Sequence, residues 1–162
     1  MKRLGLLLAL TTLLSGADLM IPGTDLPLPV PNGWRAVVDP GTVLALEAPD
    51  RRLRLAVSTR VLQDGEGPAA FAQRCLADVQ RLLPGVVLED WMFAETRAGR
   101  SWSRLRYRFH LGEADYRQVQ WITISGTTGI CISLGGAPGH DPLPQATSLE
   151  QDLWGSRPIL TR

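Results

Sequence analysis

The stretch from Ser101 to Leu134, SWSRLRYRFHLGEADYRQVQWITISGTTGICISL, holds three strand signals in a row. Within Ser101–Leu111, Leu105, Tyr107 and Phe109 alternate with Arg104, Arg106 and Arg108, the two-residue period of a β-strand. Tyr116–Ser125 and Gly129–Leu134 are further runs rich in β-branched and aromatic residues. Gly112-Glu113-Ala114-Asp115 and Gly126-Thr127-Thr128 separate them and have room only for tight turns. Strands joined so closely must run antiparallel, because a parallel connection needs a crossover of a dozen residues or more.

Working upstream, Val86–Glu95 is a fourth strand of this group, and Pro84-Gly85 ends the element before it. That element is the best helix signal in the chain. Between Pro68 and Leu83, residues Phe71, Cys75, Leu76, Val79, Leu82 and Leu83 recur at three- and four-residue spacing. Three more strands precede it, at Trp34–Val38, Val43–Ala48 and Leu53–Leu62, separated by the turns Asp39-Pro40-Gly41 and Asp50-Arg51. Downstream, a Gly/Pro-rich loop, Gly135–Pro144, leads to a weaker helix over Gln145–Trp154. The order is β-β-β-α-β-β-β-β-α. It predicts an α+β domain with a single antiparallel sheet of about six to seven strands and two helices packed on one face.

Residues 1–17, MKRLGLLLALTTLLSGA, have a positive start, an apolar run from Leu4 to Leu14 and small residues at Ser15-Gly16-Ala17. This is the layout of a signal peptide, cut before Asp18, with an apolar run too short to span a bilayer. Leu14-Ser15-Gly16 is also what precedes the lipidated cysteine of bacterial lipoproteins, but position 17 is Ala, which offers no thiol. Either the chain is cut and released, or a cysteine has been replaced. Residues 18–32 carry Pro22, Pro27, Pro29 and Pro31 and predict an extended Pro-rich leader, so the single α+β domain is placed at 33–162.

With Lys2 and Arg3 removed, 15 basic residues face 16 acidic ones, and such a near-neutral chain has no global electrostatic reason to bind nucleic acid. Catalysis has little to work with. The two histidines are His110, near a strand end, and His140, in a Gly/Pro loop beside Asp141. No Gly-x-Ser-x-Gly, His-Glu-x-x-His or Cys-x-x-Cys occurs, and Gly135-Gly136-Ala137-Pro138-Gly139 lacks the Lys and Ser/Thr of a phosphate loop. The chain is expected not to be an enzyme and to need no cofactor or metal. Cys75 and Cys131 are the only cysteines. Export would permit a disulfide between them, and buried free thiols are the alternative.

The candidate binding residues are Arg104, Arg106 and Arg108, which alternation places on the open face of the sheet, with Trp102 exposed beside them. Gln118 and Gln120 are expected to flank them. The strip reads either as solvated arginines or as a fork-lined surface for anions. On the first reading the arginine stems merely cover the sheet; on either, replacing all three is expected to spare the fold.

The element order, with the Pro31-Asn32-Gly33-Trp34 opening and Leu83-Pro84-Gly85 after the first helix, resembles the PsbP-like superfamily over roughly residues 28–160. Within it, the nearest likeness is to the exported LpqN/LpqT and DcrB-type bacterial envelope lipoproteins. The resemblance implies the fold and an accessory or binding role, and brings no shared catalytic set. The expected function is that of an exported cell-envelope binding protein of the periplasm or cell surface. Its partner would be an unknown protein or an anionic envelope component, with membrane association not by a transmembrane helix. The alternative is a secretion-associated chaperone or immunity-type protein that shields an apolar segment of a partner.

Overall fold

The computed structural model describes residues 18–83 and 85–155. The expected signal peptide and Pro84 lie outside them. The elements are β1 (Asp18–Met20), β2 (Pro27–Pro29), β3 (Arg35–Ala36), β4 (Leu44–Glu47), β5 (Leu53–Val61), α1 (Pro68–Leu82), β6 (Val87–Arg97), β7 (Arg100–Leu111), β8 (Ala114–Ser125), β9 (Thr128–Gly136) and α2 (Leu143–Leu153). From β3 onward this is the order read from the sequence, and the fold is α+β.

Seven strands form one antiparallel sheet in the order β3-β4-β5-β9-β8-β7-β6. The late strands form a meander, and β9 then pairs with β5 along its whole length, from Leu53↔Gly136 to Val61↔Thr128. The early strands are thereby joined to the late ones through a single long ladder.

Each face of the sheet has its own core. On one, Phe71, Ala72 and Cys75 of α1 pack against Leu105, Tyr107, Phe109, Ile122 and Cys131. On the other, Trp102, Val119, Trp121, Ile130, Ile132 and Leu134, with Leu55 and Val57, are covered by Ala146 and Leu149 of α2. The helices therefore lie on opposite faces, not on one as expected. The reason is visible in β8 and β9. Trp121 beside Ile122, and Ile132 beside Cys131, are all at most 2% exposed. Apolar neighbours on both sides of the pleat mean that both sides are covered.

The segment read as a leader is part of the packed body. β1 and β2 pair antiparallel as a hairpin, and Ile21, Leu26, Leu28 and Val30 are buried in the α2-side core with Trp34 and Leu46. Prolines exclude a helix here, but not a short two-stranded ribbon where Pro27 and Pro29 need supply no sheet hydrogen bonds.

Phe71 seats α1. A Cβ built on Gly129 would stand 2.2 Å from its ring, so the ring lies flat on bare strand backbone. The Arg60–Asp78 ion pair between β5 and α1 closes the same contact. No described helix is long and apolar enough to cross a membrane.

Candidate functional site

The structure moves the arginine strip indoors. The register sets Arg104 opposite Trp121 and Arg106 opposite Val119, so both side chains share the α2 face. The Arg104 guanidinium donates to both carboxylate oxygens of Glu150 on α2, at 3.2 and 3.1 Å, and to Asp90 of β6 at 2.5 Å. Arg106 is within 3.8 Å of Asp90 and 3.9 Å of Glu150. The indole N–H of Trp121 donates to Glu150 at 3.0 Å. Trp102, expected to be exposed, is 1% exposed and belongs to the core. Gln118 and Gln120 lie opposite Tyr107 and Leu105 on the α1 face, not beside the arginines. Only Arg108 of the three is exposed. Arg104 and Arg106 thus tie α2 to the sheet, and neither offers its fork to an outside anion.

The surface that does offer cations lies at the end of the sheet where the β4–β5 turn, the β7–β8 turn and the loop before α2 meet. Backbone hydrogen bonds join these segments. Ala137 N–H donates to the Arg52 carbonyl at 2.8 Å, Gly139 N–H to the Asp115 carbonyl at 3.1 Å, and His140 N–H to the Ala137 carbonyl at 2.8 Å. Gly136 permits the last turn, since a Cβ there would be 2.3 Å from the His140 carbonyl oxygen. The glycine-rich loop is therefore a turn, as its sequence suggests, and it builds a wall.

Two adjoining clefts open here and share Tyr116 and Arg117. The larger, about 330 Å³, is lined by Arg51, Arg52, Arg54 and Arg117 with Glu47, over Phe109 and Tyr116. Those two rings are stacked, 5.4 Å apart and 11° from parallel. The smaller, about 180 Å³, holds Arg108, Arg117, His140 and Asp141. Most of these cations are already matched. Arg51 reaches Glu47 at 3.6 Å, Arg54 reaches Asp39 at 3.6 Å, and Arg117 meets Glu89 at 2.9 Å and Asp141 at 3.3 Å. Arg52 and Arg108 form no ion pair with any described residue. They stand in neighbouring clefts, on either side of the Tyr116–Arg117 rib.

The other residues singled out in the sequence are ordinary in place. His110 pairs with Asp115 across the hairpin end, with both side chains exposed. Among the described residues, no group of three His, Cys, Asp or Glu could hold a metal ion. Cys75 and Cys131 meet between α1 and β9 as buried thiols. A wider cleft of about 660 Å³ lies between the N-terminal hairpin and the end of α2, lined by Leu26, Pro27, Pro29, Trp102 and Leu153. The sequence held one sign of the cationic clefts, the Arg51-Arg52-Leu53-Arg54 run after a turn aspartate. Only the fold brings that run to Tyr116 and Arg117.

No family model and no curated protein matches this chain. Solved structures do. Cyanobacterial PsbP (CyanoP) from Synechocystis is similar at a TM-score of 0.58 and 20% identity, over 78% of this chain and 82% of that one. A Pseudomonas aeruginosa protein described as a putative regulator gives 0.57 and 17%, over 91% of this chain and 99% of its own. LpqN of Mycobacterium tuberculosis, described as involved in cell envelope biogenesis, gives 0.54 and 18%, over 80% and 79%. The fold is PsbP-like, with LpqN among its structural neighbours.

Proposed function

We propose, from this PsbP-like fold, that the chain is an exported, non-catalytic binding or accessory protein of the bacterial cell envelope. Its contact surface is the pair of cationic clefts at the sheet end. The observation that supports this reading is that Arg52 and Arg108, which no described carboxylate neutralises, line two adjoining clefts that share Tyr116 and Arg117, the larger of them also lined by the stacked Phe109 and Tyr116 rings. A guanidinium left free in such a place can offer its fork to phosphate or carboxylate oxygens. The rings give flat apolar area to whatever carries the anion. The envelope setting is supported by the tripartite segment at 1–17 and by the likeness to LpqN.

The test is binding of the full chain to phosphatidylglycerol vesicles and to neutral phosphatidylcholine vesicles at low and high salt. Binding to the anionic vesicles alone is expected, weakening as salt screens the charges. The double variant Arg52→Gln/Arg108→Gln should lose at least tenfold in affinity while keeping its thermal midpoint. Equal binding by variant and wild type would overturn the cleft assignment. The mature N-terminus in the native host tests export separately, with Asp18 the expected first residue.

A further inference from the structure

The thiols of Cys75 and Cys131 lie 3.3 Å apart, one on the inner side of α1 and the other in the middle of β9. Both residues are 2% exposed. Chance packing of small apolar residues would account for their burial, since free cysteine behaves as one. It gives no reason for the only two sulfhydryls in the chain, 56 positions apart, to face each other. A disulfide bond is about 2.05 Å long, so each sulfur has roughly 0.6 Å to travel. Little else stands in the way. Cys131 has Ser58 and Ile122 as its cross-strand neighbours, and α1 is already held over it by Phe71 on Gly129 and by Arg60–Asp78.

We infer that Cys75 and Cys131 are a covalent cross-link site: in an oxidising compartment they form a disulfide that fastens α1 to the centre of the sheet. The oxidant is a disulfide-bearing thiol carrier, of which oxidised glutathione is the simplest. One cysteine thiolate attacks the carrier disulfide, forming a mixed disulfide and releasing one carrier thiolate. The second cysteine thiolate attacks the protein sulfur of that mixed bond and releases the other. Two protein thiols lose two protons and two electrons, and the carrier gains both electrons. Within the folded pair the Cys75 thiol is held below its usual range by the hydrogen bond from Cys131, with Arg60 and Arg74 adding to the effect. Cys131 is pushed up by the same bond and by burial. Cys75 is therefore the better attacking group once the helix is near its seat. Because both sulfurs are sealed in the native state, exchange belongs to folding or to openings of α1, and the finished bond is shielded from reductants.

This assignment is independent of the cationic clefts, and its test does not require export. The full chain, reduced and unfolded, is refolded in a series of oxidised-to-reduced glutathione ratios. It is then quenched in acid, denatured, alkylated before or after reduction and weighed intact. The expected protein takes no alkyl group until it is reduced, and two afterwards. Its thermal midpoint rises by about 10 °C over the fully reduced wild type, as suits a bond closing a loop of this length. Comparing oxidised with reduced wild type avoids reliance on a variant that fails to fold. Two alkyl groups taken up without reduction at every ratio, in protein whose circular dichroism is native, would overturn the assignment. So would a midpoint that falls when the bond forms, since the bond would then oppose the fold.

Discussion

Glu150 enters the space between α2 and the sheet carrying a charge, and Arg104, Arg106 and the Trp121 indole all converge on it. Its side chain is 9% exposed and that of Arg104 16%, so neither group has water enough to compensate for a lost partner. Removing one member of a buried pair strands the rest and costs about 3–5 kcal/mol. Glu150→Ala is accordingly expected to lower unfolding stability by about 3 kcal/mol in urea titration. The expectation that all three strand arginines can be replaced without harm to the fold does not survive their placement. Arg108 is exposed, and its replacement is still expected to spare the fold, whereas replacing Arg104 is expected to weaken it. The network is also imperfect, because the Nε groups of Arg104 and Arg106 are buried without a partner among the described residues. Each such donor costs about 1–3 kcal/mol, so the network orients α2 more than it stabilises the whole. The alternation of arginine and apolar residue was legible in the sequence. Their burial was not, because the deciding carboxylate lies 46 positions away. The only hint was Glu150 following Ala146 and Leu149 on the apolar stripe of a weak helix.

Among the elements, α1 and the β6–β7 hairpin show opposite degrees of fit between sequence and shape. α1 was read from its stripe to within a residue at its end. What seats it was not, because Gly129 reads only as the first residue of a strand and nothing local says that a ring must lie on it. Gly129→Ala forces Phe71 off the strand, and a loss of about 2–4 kcal/mol is expected, in the range of core overpacking and lost aromatic burial. Chemical denaturation checks it, with Gly135→Ala on the same strand, where a Cβ meets nothing closer than 4.0 Å, as a control away from the ring. In the hairpin, Ala98 (φ 50°) and Gly99 (φ 75°) make a two-residue turn with both residues left-handed. Alanine has no means of favouring that conformation, whereas asparagine does. Ala98→Asn should therefore stabilise by about 0.5–1 kcal/mol, read as a higher thermal midpoint. The same mismatch explains why the turn left a wide gap between the expected strands: Ala-Gly is a weak turn signal beside Asn-Gly.

Across the molecule, the strands and their order were legible because turns and periodicity are local properties. The placement of α2 and of residues 18–30 was not, because both depend on which face of a distant sheet remains bare. A chain beginning at Pro31 would uncover the core around Trp34, Leu46 and Val57 that Ile21 and Leu28, both 0% exposed, now seal. Four buried apolar side chains lost from that core leave its surface open to water, at roughly 1.5–3 kcal/mol for each side chain. A lowered denaturation midpoint with new binding of an apolar fluorescent dye is the expected result; an unchanged midpoint would show that the hairpin only rests on the surface. The order in which the faces close has a further consequence. α1 stands beside the strands it covers, but the opposite face waits for segments that precede β3 and follow β9, and the two groups of strands must first join through the long β5–β9 ladder. Such non-local pairing is slow, on the order of milliseconds to seconds, and a half-covered sheet is the species most prone to self-association. During that interval Arg104 and Arg106 lack Glu150 and have only Asp90 of the adjoining strand as a partner. Burying these charged groups against the bare face of a second copy would cost free energy, so the residues that later hold the final helix in place also oppose the pairing of the waiting sheet with its own kind.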